Sequence, residues 1–385
     1  MQKVMFYCQH ILGMGHLIRS IEIVRGLIPN FEICFINGGQ VIKEFEFPSE
    51  IEVINIPAVK TDAEFTELRP VDDNLTMTEV ETIRRDILLA VCDRFGPDML
   101  IIELFPFGRR RFSFELIPVI EQAKSRGTKI VSSIRDIVVT KQNQQRHEEK
   151  VCRLINQYFD LLLIHGDPSF VKLNLSFSRI EDLNCPVHYT GYVVQPISPP
   201  QILFDQALIL VSVGGGRFGH DLLECVAKTA PLLAAKIPHQ IHMFTGPFCP
   251  EAVLQKLREI TCNQHNITVE RYTTNLLAYM QQADLSIGMS GYNTTMNILS
   301  TGVRAMMMAF EGNNDQEQAT RVAKLANLGR VKMIQPSDLV PEKLADNIID
   351  YLQQKPTELN LDLQGVSNTA YYLQRLVEQP LTAAP

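Results

Sequence analysis

The stretch ALILVSVGGGRFGHDLLE, residues 207–224, passes from an apolar, β-branched run through three glycines into a segment of helical period. A strand that breaks at glycines and restarts as a helix is the opening unit of a parallel α/β sheet. Lacking Cβ atoms, Gly214, Gly215 and Gly216 can take positive φ and turn backbone N–H groups onto an anion, with the following helix dipole aimed at the same point. Such a terminus is worth only about 0.3–2 kcal/mol per charge. A diphosphate therefore needs further contacts, and Arg217 is placed to add one. Gly214, Gly216 and Gly219 also satisfy G-x-G-x-x-G, but a nicotinamide site needs an acid at the end of the next strand. That strand ends MFTGP, without a carboxylate, which disfavours a dehydrogenase.

Downstream, QIHMFTG, NITVERY, ADLSIGMS, VRAMMMAF and RVKMI repeat the strand pattern, each followed by a helical segment. The turn after ADLSIGMS offers Ser290, Gly291, Asn293 and Thr294 as backbone and hydroxyl donors at a second helix N-terminus. In the polar run NNDQEQ, Glu317 and Gln318 supply an acceptor and an amide suited to sugar hydroxyls. The alternative for that run is a solvated helix start.

Upstream, GYVVQPISPPQ (191–201) carries prolines that continue neither helix nor strand, and reads as a linker. Before it lies another alternating series, with strands at KVMFYC, FEICFIN, IEVINIP, DMLIIELF, TKIVSSI and LLLIHGD, and helices at about 17–28, 77–95, 114–126 and 142–159. The expected fold is α/β, with two Rossmann-like doubly wound parallel-sheet domains facing a cleft. Residues 1–193 form the first domain, 194–206 the linker, 207–355 the second domain and 356–385 a helical tail able to fold back on either.

Composition narrows the function. At 385 residues with 45% hydrophobic and 21% charged side chains, the chain is globular in type and long enough for two cores. A net charge of −7 argues against a nucleic-acid partner. The one basic cluster, GRRRF at 108–112, follows Phe105 and Phe107. Those aromatic and cationic residues could serve an anionic or lipid-linked ligand, or peripheral membrane contact, with a solvated loop as the plain alternative. Eight scattered cysteines show no metal or disulfide spacing. With no signal peptide and no apolar run near the roughly 18 residues of a membrane span, a cytoplasmic setting is expected. No D-x-D metal motif is convincing, so no metal or cofactor is expected.

In the first half, HILGMGHLIRS places Gly13, Gly15, His16 and Arg19 where the first strand hands over to the first helix. At a strand's carboxyl end, His16 is the candidate general base, a role that imidazole's near-neutral titration suits. Glu103, closing DMLIIE on a strand expected beside the first, is its candidate carboxylate partner. Equally, Glu103 could pair with an arginine at 109–111.

Together these motifs resemble the GT-B nucleotide-sugar glycosyltransferases, specifically the MurG-like group (glycosyltransferase family 28) and its predicted-glycosyltransferase branch. The resemblance rests on the glycine loop with His16, VGGG, SGYNT and DQEQ. It implies that Gly215, Gly216 and Arg217 lie by the nucleotide diphosphate, that Ser290, Gly291, Asn293 and Thr294 form a second phosphate turn, and that Tyr272 and Thr273 border the base. Glu317 and Gln318 would hold the donor sugar, with Gly13, Gly15, Arg19 and Arg109 on the acceptor side. Asn297 stands where relatives carry a ribose-binding glutamate, so the charge assistance of that contact is missing. The implied activity is inverting transfer of a hexosyl or N-acetylhexosaminyl group from a UDP-sugar to a small-molecule or lipid-linked acceptor, without metal. GMGHLIR also looks like the loop of PseG-type nucleotide-sugar hydrolases, and a non-catalytic sugar-nucleotide binding subunit is a third reading.

Overall fold

A computed structural model describes residues 1–11, 13–42, 45–61, 67–139, 143–197, 204–310 and 317–378. Asn313–Gln316 of the NNDQEQ run, part of the linker and part of the loop after Lys60 therefore lie outside the described residues. The chain divides into two compact units. Met1–Leu12, His16–Val194 and Leu361–Pro385 make the first; Gln195–Asn360, with Gly13–Gly15, make the second.

The first unit contains β1 (Gln2–Cys8), α1 (Gly15–Leu27), β2 (Phe31–Asn37), β3 (Glu52–Asn55), a small antiparallel pair β4 (Val59–Thr61) and β5 (Leu68–Pro70), α2 (Met77–Phe95) and β6 (Met99–Glu103). It continues with α3 (Ser113–Ser125), β7 (Lys129–Arg135), α4 (Gln144–Tyr158), β8 (Leu161–His165) and β9 (Val187–Tyr189). Its seven-stranded parallel sheet has the order β3-β2-β1-β6-β7-β8-β9. Strands such as LLLIH are buried along their whole length, because helices cover both faces of a parallel sheet. Local chemistry sets the helix ends: Thr76 and Glu79 close a capping box at the start of α2, and Gly96 takes the left-handed conformation at its end.

The second unit runs β10 (Ala207–Ser212), α5 (His220–Ala234), β11 (His239–Phe244), α6 (Glu251–Thr261), β12 (Ile267–Glu270), α7 (Leu276–Gln282) and β13 (Leu285–Met289). Then come α8 (Tyr292–Thr301), β14 (Ala305–Met308), α9 (Glu317–Asn327), β15 (Lys332–Ile334) and α10 (Pro341–Leu352). Its parallel sheet is ordered β12-β11-β10-β13-β14-β15.

In both sheets the strand order reverses beside the first strand, between β1 and β6 and between β10 and β13. In open α/β sheets, ligands bind at the carboxyl ends of the strands flanking that reversal. His16 and Glu103 follow one such pair; the three glycines and Ser290 follow the other.

Two features differ from the sequence reading. The pair β4–β5 and the strand β9 are three residues per strand, too short for a periodic signal. The last helix, α11 (Gly365–Glu378), joins the first unit. Tyr192 N donates to Asp362 O at 2.7 Å, Asn368 Nδ2 to Thr190 O at 2.9 Å, and the absent side chain of Gly26 on α1 makes room for Val366. Among the described residues, no helix is long and apolar enough to cross a membrane. All eight cysteines are free.

Candidate active site

Glu103, at the last position of β6, is fully buried, and its Oε1 lies 2.7 Å from His16 Nδ1. Arg19, one turn further along α1 and equally buried, donates to the same oxygen. Burial alone would push the Glu103 carboxyl up; the contact and hydrogen bond with His16, together with the cationic Arg19 and Arg109, outweigh it and bring it to about 2. Burial pushes His16 down to about 3, with Arg109 and Arg135 adding to the fall against the opposing pull of Glu103. Imidazole titration near neutrality, expected for the base, is thus replaced by a neutral ring across the physiological range. The carboxylate can only accept, so Nδ1 carries the hydrogen and Nε2 keeps its lone pair. The His16 side chain retains 19% exposure, enough for that edge to meet a substrate.

The arginines divide differently from the sequence expectation. Arg19, assigned there to the acceptor side, is buried under the base and holds Glu103 in its charged form. Phe105 and Phe107, read as partners of a basic surface, are core residues packed on Phe159 and Phe177 at ring distances of 6.2 and 4.9 Å. They anchor the loop after β6 instead of presenting an aromatic face outside.

Beneath β1 lies a buried network without a sequence signature. Arg84 on α2 donates to Glu115 on α3 at 2.6 and 2.7 Å, to Gln9 Oε1 at 2.6 Å, and to the carbonyls of Gly38 and Pro57 at 3.2 and 2.7 Å. Tyr7 donates to the same carboxylate. One guanidinium thereby ties together the segments that follow β1, β2 and β3. Behind Glu103, the buried His165 ring meets Ser133 Oγ at 2.7 Å and Thr190 Oγ1 at 2.8 Å.

In the second unit, the glycine loop is shaped by a second loop. Gly216 has φ +84°, and a Cβ there would stand 2.3 Å from Thr245 O; Gly246, at φ +91°, is held by Gly214 and Gly215 in the same way. Phe248 N donates to Gly215 O at 2.9 Å, locking the two loops. Arg217 stacks over the Phe248 ring at 4.8 Å, a neighbour that sequence reasoning did not find. Burial lowers its titration, and its Nε is buried without a hydrogen-bond partner among the described residues.

Arg217, Phe218, His220, Met289, Met308 and Phe310 line a cavity of about 290 Å³ at the N-terminus of α5. Phe218 and Phe310 pack at 4.3 Å on its wall. The exposed Asp221, in the first turn of α5, also faces it. Arg217 is therefore the side chain that restores positive character where the helix dipole points.

The second turn is arranged around Ser290, which is buried, with N donating to Met308 O at 2.9 Å. Gly291 caps α8, and Asn293 and Thr294 lie in its first turn, half-buried. Thr273 Oγ1 accepts from Asn275 N at 3.0 Å on the loop before α7, with Tyr272 beside it. Asn297 is buried inside α8, its Nδ2 3.5 Å from Gln195 Oε1. Glu317 is likewise buried and accepts from Arg321 at 3.0 Å, while Gln318 Oε1 accepts from Phe310 N at 3.1 Å. The acid and amide are thus engaged by the protein itself. Among the described residues, no cluster of three metal-ligating side chains occurs.

Residues 208–371 match the glycosyltransferase family 28 C-terminal domain. The chain is 24% identical over 218 residues to a UDP-N-acetylglucosamine--N-acetylmuramyl-(pentapeptide) pyrophosphoryl-undecaprenol N-acetylglucosamine transferase of Prochlorococcus marinus (strain NATL2A), covering 55% of this chain and 59% of that one. With the same-named protein of Haemophilus influenzae (strain PittEE), identity is 25% over 213 residues, 53% of this chain and 57% of the relative. The match thus spans somewhat more than half the length of these curated relatives. Among solved structures, Acinetobacter baumannii MurG aligns with a TM-score of 0.54 at 14% identity, over 98% of this chain and 99% of that one. The kitacinnamycin glycotransferase aligns with a TM-score of 0.62 at 14% identity, over 99% of each. With two doubly wound parallel sheets and a match to the family 28 C-terminal domain over residues 208–371, the chain has the GT-B fold and is similar to the MurG-like glycosyltransferases.

Proposed function

We propose that the protein transfers a sugar from a nucleotide diphosphate donor to an acceptor hydroxyl with inversion at the anomeric carbon, His16 acting as general base. The observation that carries this reading is the 2.7 Å contact between His16 Nδ1 and the buried Glu103 carboxylate. It orients a neutral imidazole with Nε2 available. In the reaction, Nε2 takes the acceptor's hydroxyl proton as that oxygen bonds to the anomeric carbon and the bond to the diphosphate breaks. Positioned proton transfer of this kind contributes about 10² to 10⁴-fold.

The donor diphosphate is assigned to the second unit, on the amides around Gly215, Gly216 and the Ser290–Gly291 turn, with Arg217 offsetting its charge. This arrangement needs no bound cation. Tyr272 and Thr273 would border the base. Holding the sugar through Glu317 and Gln318 would exchange their present contacts with Arg321 and Phe310 for contacts with its hydroxyls. A UDP-sugar is the donor of choice, UDP-N-acetylglucosamine first, because the relatives' names specify it. Those names also favour a lipid-linked acceptor, met in the cytoplasm at a membrane surface.

Incubation with UDP-sugars, with and without candidate acceptors, tests the reading. Acceptor-dependent UDP release with an inverted product is the expected result. Steady release of free sugar without acceptor would instead assign a hydrolase, and no turnover with any acceptor a binding subunit.

A further inference from the structure

We propose that Phe248 is a positioning residue for the donor site: its ring holds the Arg217 guanidinium by one face, so that the in-plane N–H groups are left for the donor's diphosphate. This rests on the transferase reading above, in which Arg217 offsets the diphosphate charge, and deepens it. The guanidinium lies 4.8 Å from the centre of the Phe248 ring. Stacking on an aromatic face uses the π surface of a guanidinium and none of its N–H donors, which point outward in the plane. Among the described residues, Arg217 makes no hydrogen bond or ion pair, although Asp221 lines the same cavity. The ring therefore fixes the side chain without competing for the anion.

The ring itself is held from several sides. Phe248 N donates to Gly215 O at 2.9 Å, and a Cβ on Gly215 would lie 3.6 Å from Phe248 Cδ2, which sets the ring edge against the glycine loop. The segment that carries it is closed by Cys249 N, which donates to Gly246 O at 3.1 Å. Beyond the end of β12, Arg271 O accepts from Gly246 N at 2.7 Å, and the Arg271 guanidinium donates to Cys249 O at 2.8 Å. Phe248 is half-buried and stands outside the core of its unit, so packing alone does not account for an aromatic ring there.

An unrestrained arginine has wide rotamer freedom, and ordering it around an anion subtracts from affinity. A guanidinium already stacked beside the glycine loop and the N-terminus of α5 avoids that loss. Stacking also counts for more where water is partly excluded, and Arg217 is half-buried. Removing the ring should thus weaken diphosphate binding by releasing the cation and not by altering the loop. The N–H that Phe248 gives to Gly215 belongs to the backbone and survives any substitution except proline.

Calorimetric titration of the full-length protein with UDP tests this through a double-mutant cycle. Phe248→Leu should weaken UDP binding about threefold to tenfold, and Phe248→Tyr, which keeps an aromatic face, should stay within about twofold of the unsubstituted protein. Arg217→Met should weaken UDP binding about tenfold. In that background Phe248→Leu should add less than about twofold, since no cation remains to be held. Equal losses from Phe248→Leu in both backgrounds would give the ring a packing role and overturn the proposal, as would an unchanged affinity in Phe248→Leu alone; either result leaves the diphosphate assignment standing. Unchanged UDP affinity in Arg217→Met, or no UDP binding by the unsubstituted protein, removes that assignment and the proposal with it. Melting temperature shows that each variant is folded, and Phe248→Met replaces Phe248→Leu if the latter is not.

Discussion

His16 and Glu103, 87 positions apart in the chain, meet at 2.7 Å because β1 and β6 are neighbours in the first sheet, with Tyr7 opposite Ile102. The next residue of β6 is Glu103, and the turn after β1 delivers His16 to it. Substituting His16 by Ala should reduce turnover by at least about 10²-fold. Nucleotide affinity should be nearly unchanged, since the glycine loops belong to the other unit. Calorimetric titration with UDP alongside a turnover assay checks both, and a collapse of UDP affinity would contradict this division of roles.

Acid should destabilise the fold from near neutrality downward. Burial holds His10 at about 4 and His16 and His165 at about 3, below the roughly 6.5 of an unfolded histidine. Between those limits the unfolded chain binds more protons, so stability falls as pH falls, by up to about 1.4 kcal/mol per pH unit for each histidine. The depressed Glu103 carboxyl adds a second loss below about 4.5, as pH falls towards about 2. Calorimetric Tm should therefore be level from about pH 8 to 7 and decline steeply towards about pH 4; a level Tm across that range would count against these buried neutral rings.

Gly216→Ala should destabilise the second unit and abolish nucleotide binding together. The left-handed backbone alone costs about 1–2 kcal/mol, and the new methyl meets Thr245 O. Thermal melting with and without UDP separates the two effects: a stable variant that still binds would show that the two loops can move apart.

Arg84→Met should cost about 3–5 kcal/mol, because it leaves the Glu115 carboxylate buried without its charge partner. Adding Glu115→Leu should recover a large part of that loss, since removing both charges removes the desolvation penalty. Denaturant unfolding of the single and double variants gives the comparison, and a double variant less stable than the single one would argue against a charge-pair origin.

Turnover should be insensitive to EDTA, because helix N-termini, loop amides and Arg217 are assigned the charge of the leaving diphosphate. Loss of activity on chelation, restored by a divalent cation, is the result that would refute the metal-free scheme.

Strand–helix alternation, the division into two sheets and the places where glycine loops interrupt strands were all set by local features: residue period, proline and the absence of Cβ atoms. The placement of His16, Glu103 and Gly214–Gly216 at strand ends was legible for the same reason. Only the tertiary structure decided which charges meet. Arg19 turns inward to Glu103, Arg84 takes Glu115, and Glu317 takes Arg321. Glu317 and Arg321 stand at helical i, i+4 spacing, and only the packing of α9 decides that they are buried. No local pattern specifies the first two pairings, because they join residues on elements far apart in the chain. They follow from strand order and register, which bring distant side chains into one dry interior where an unpaired charge is costly.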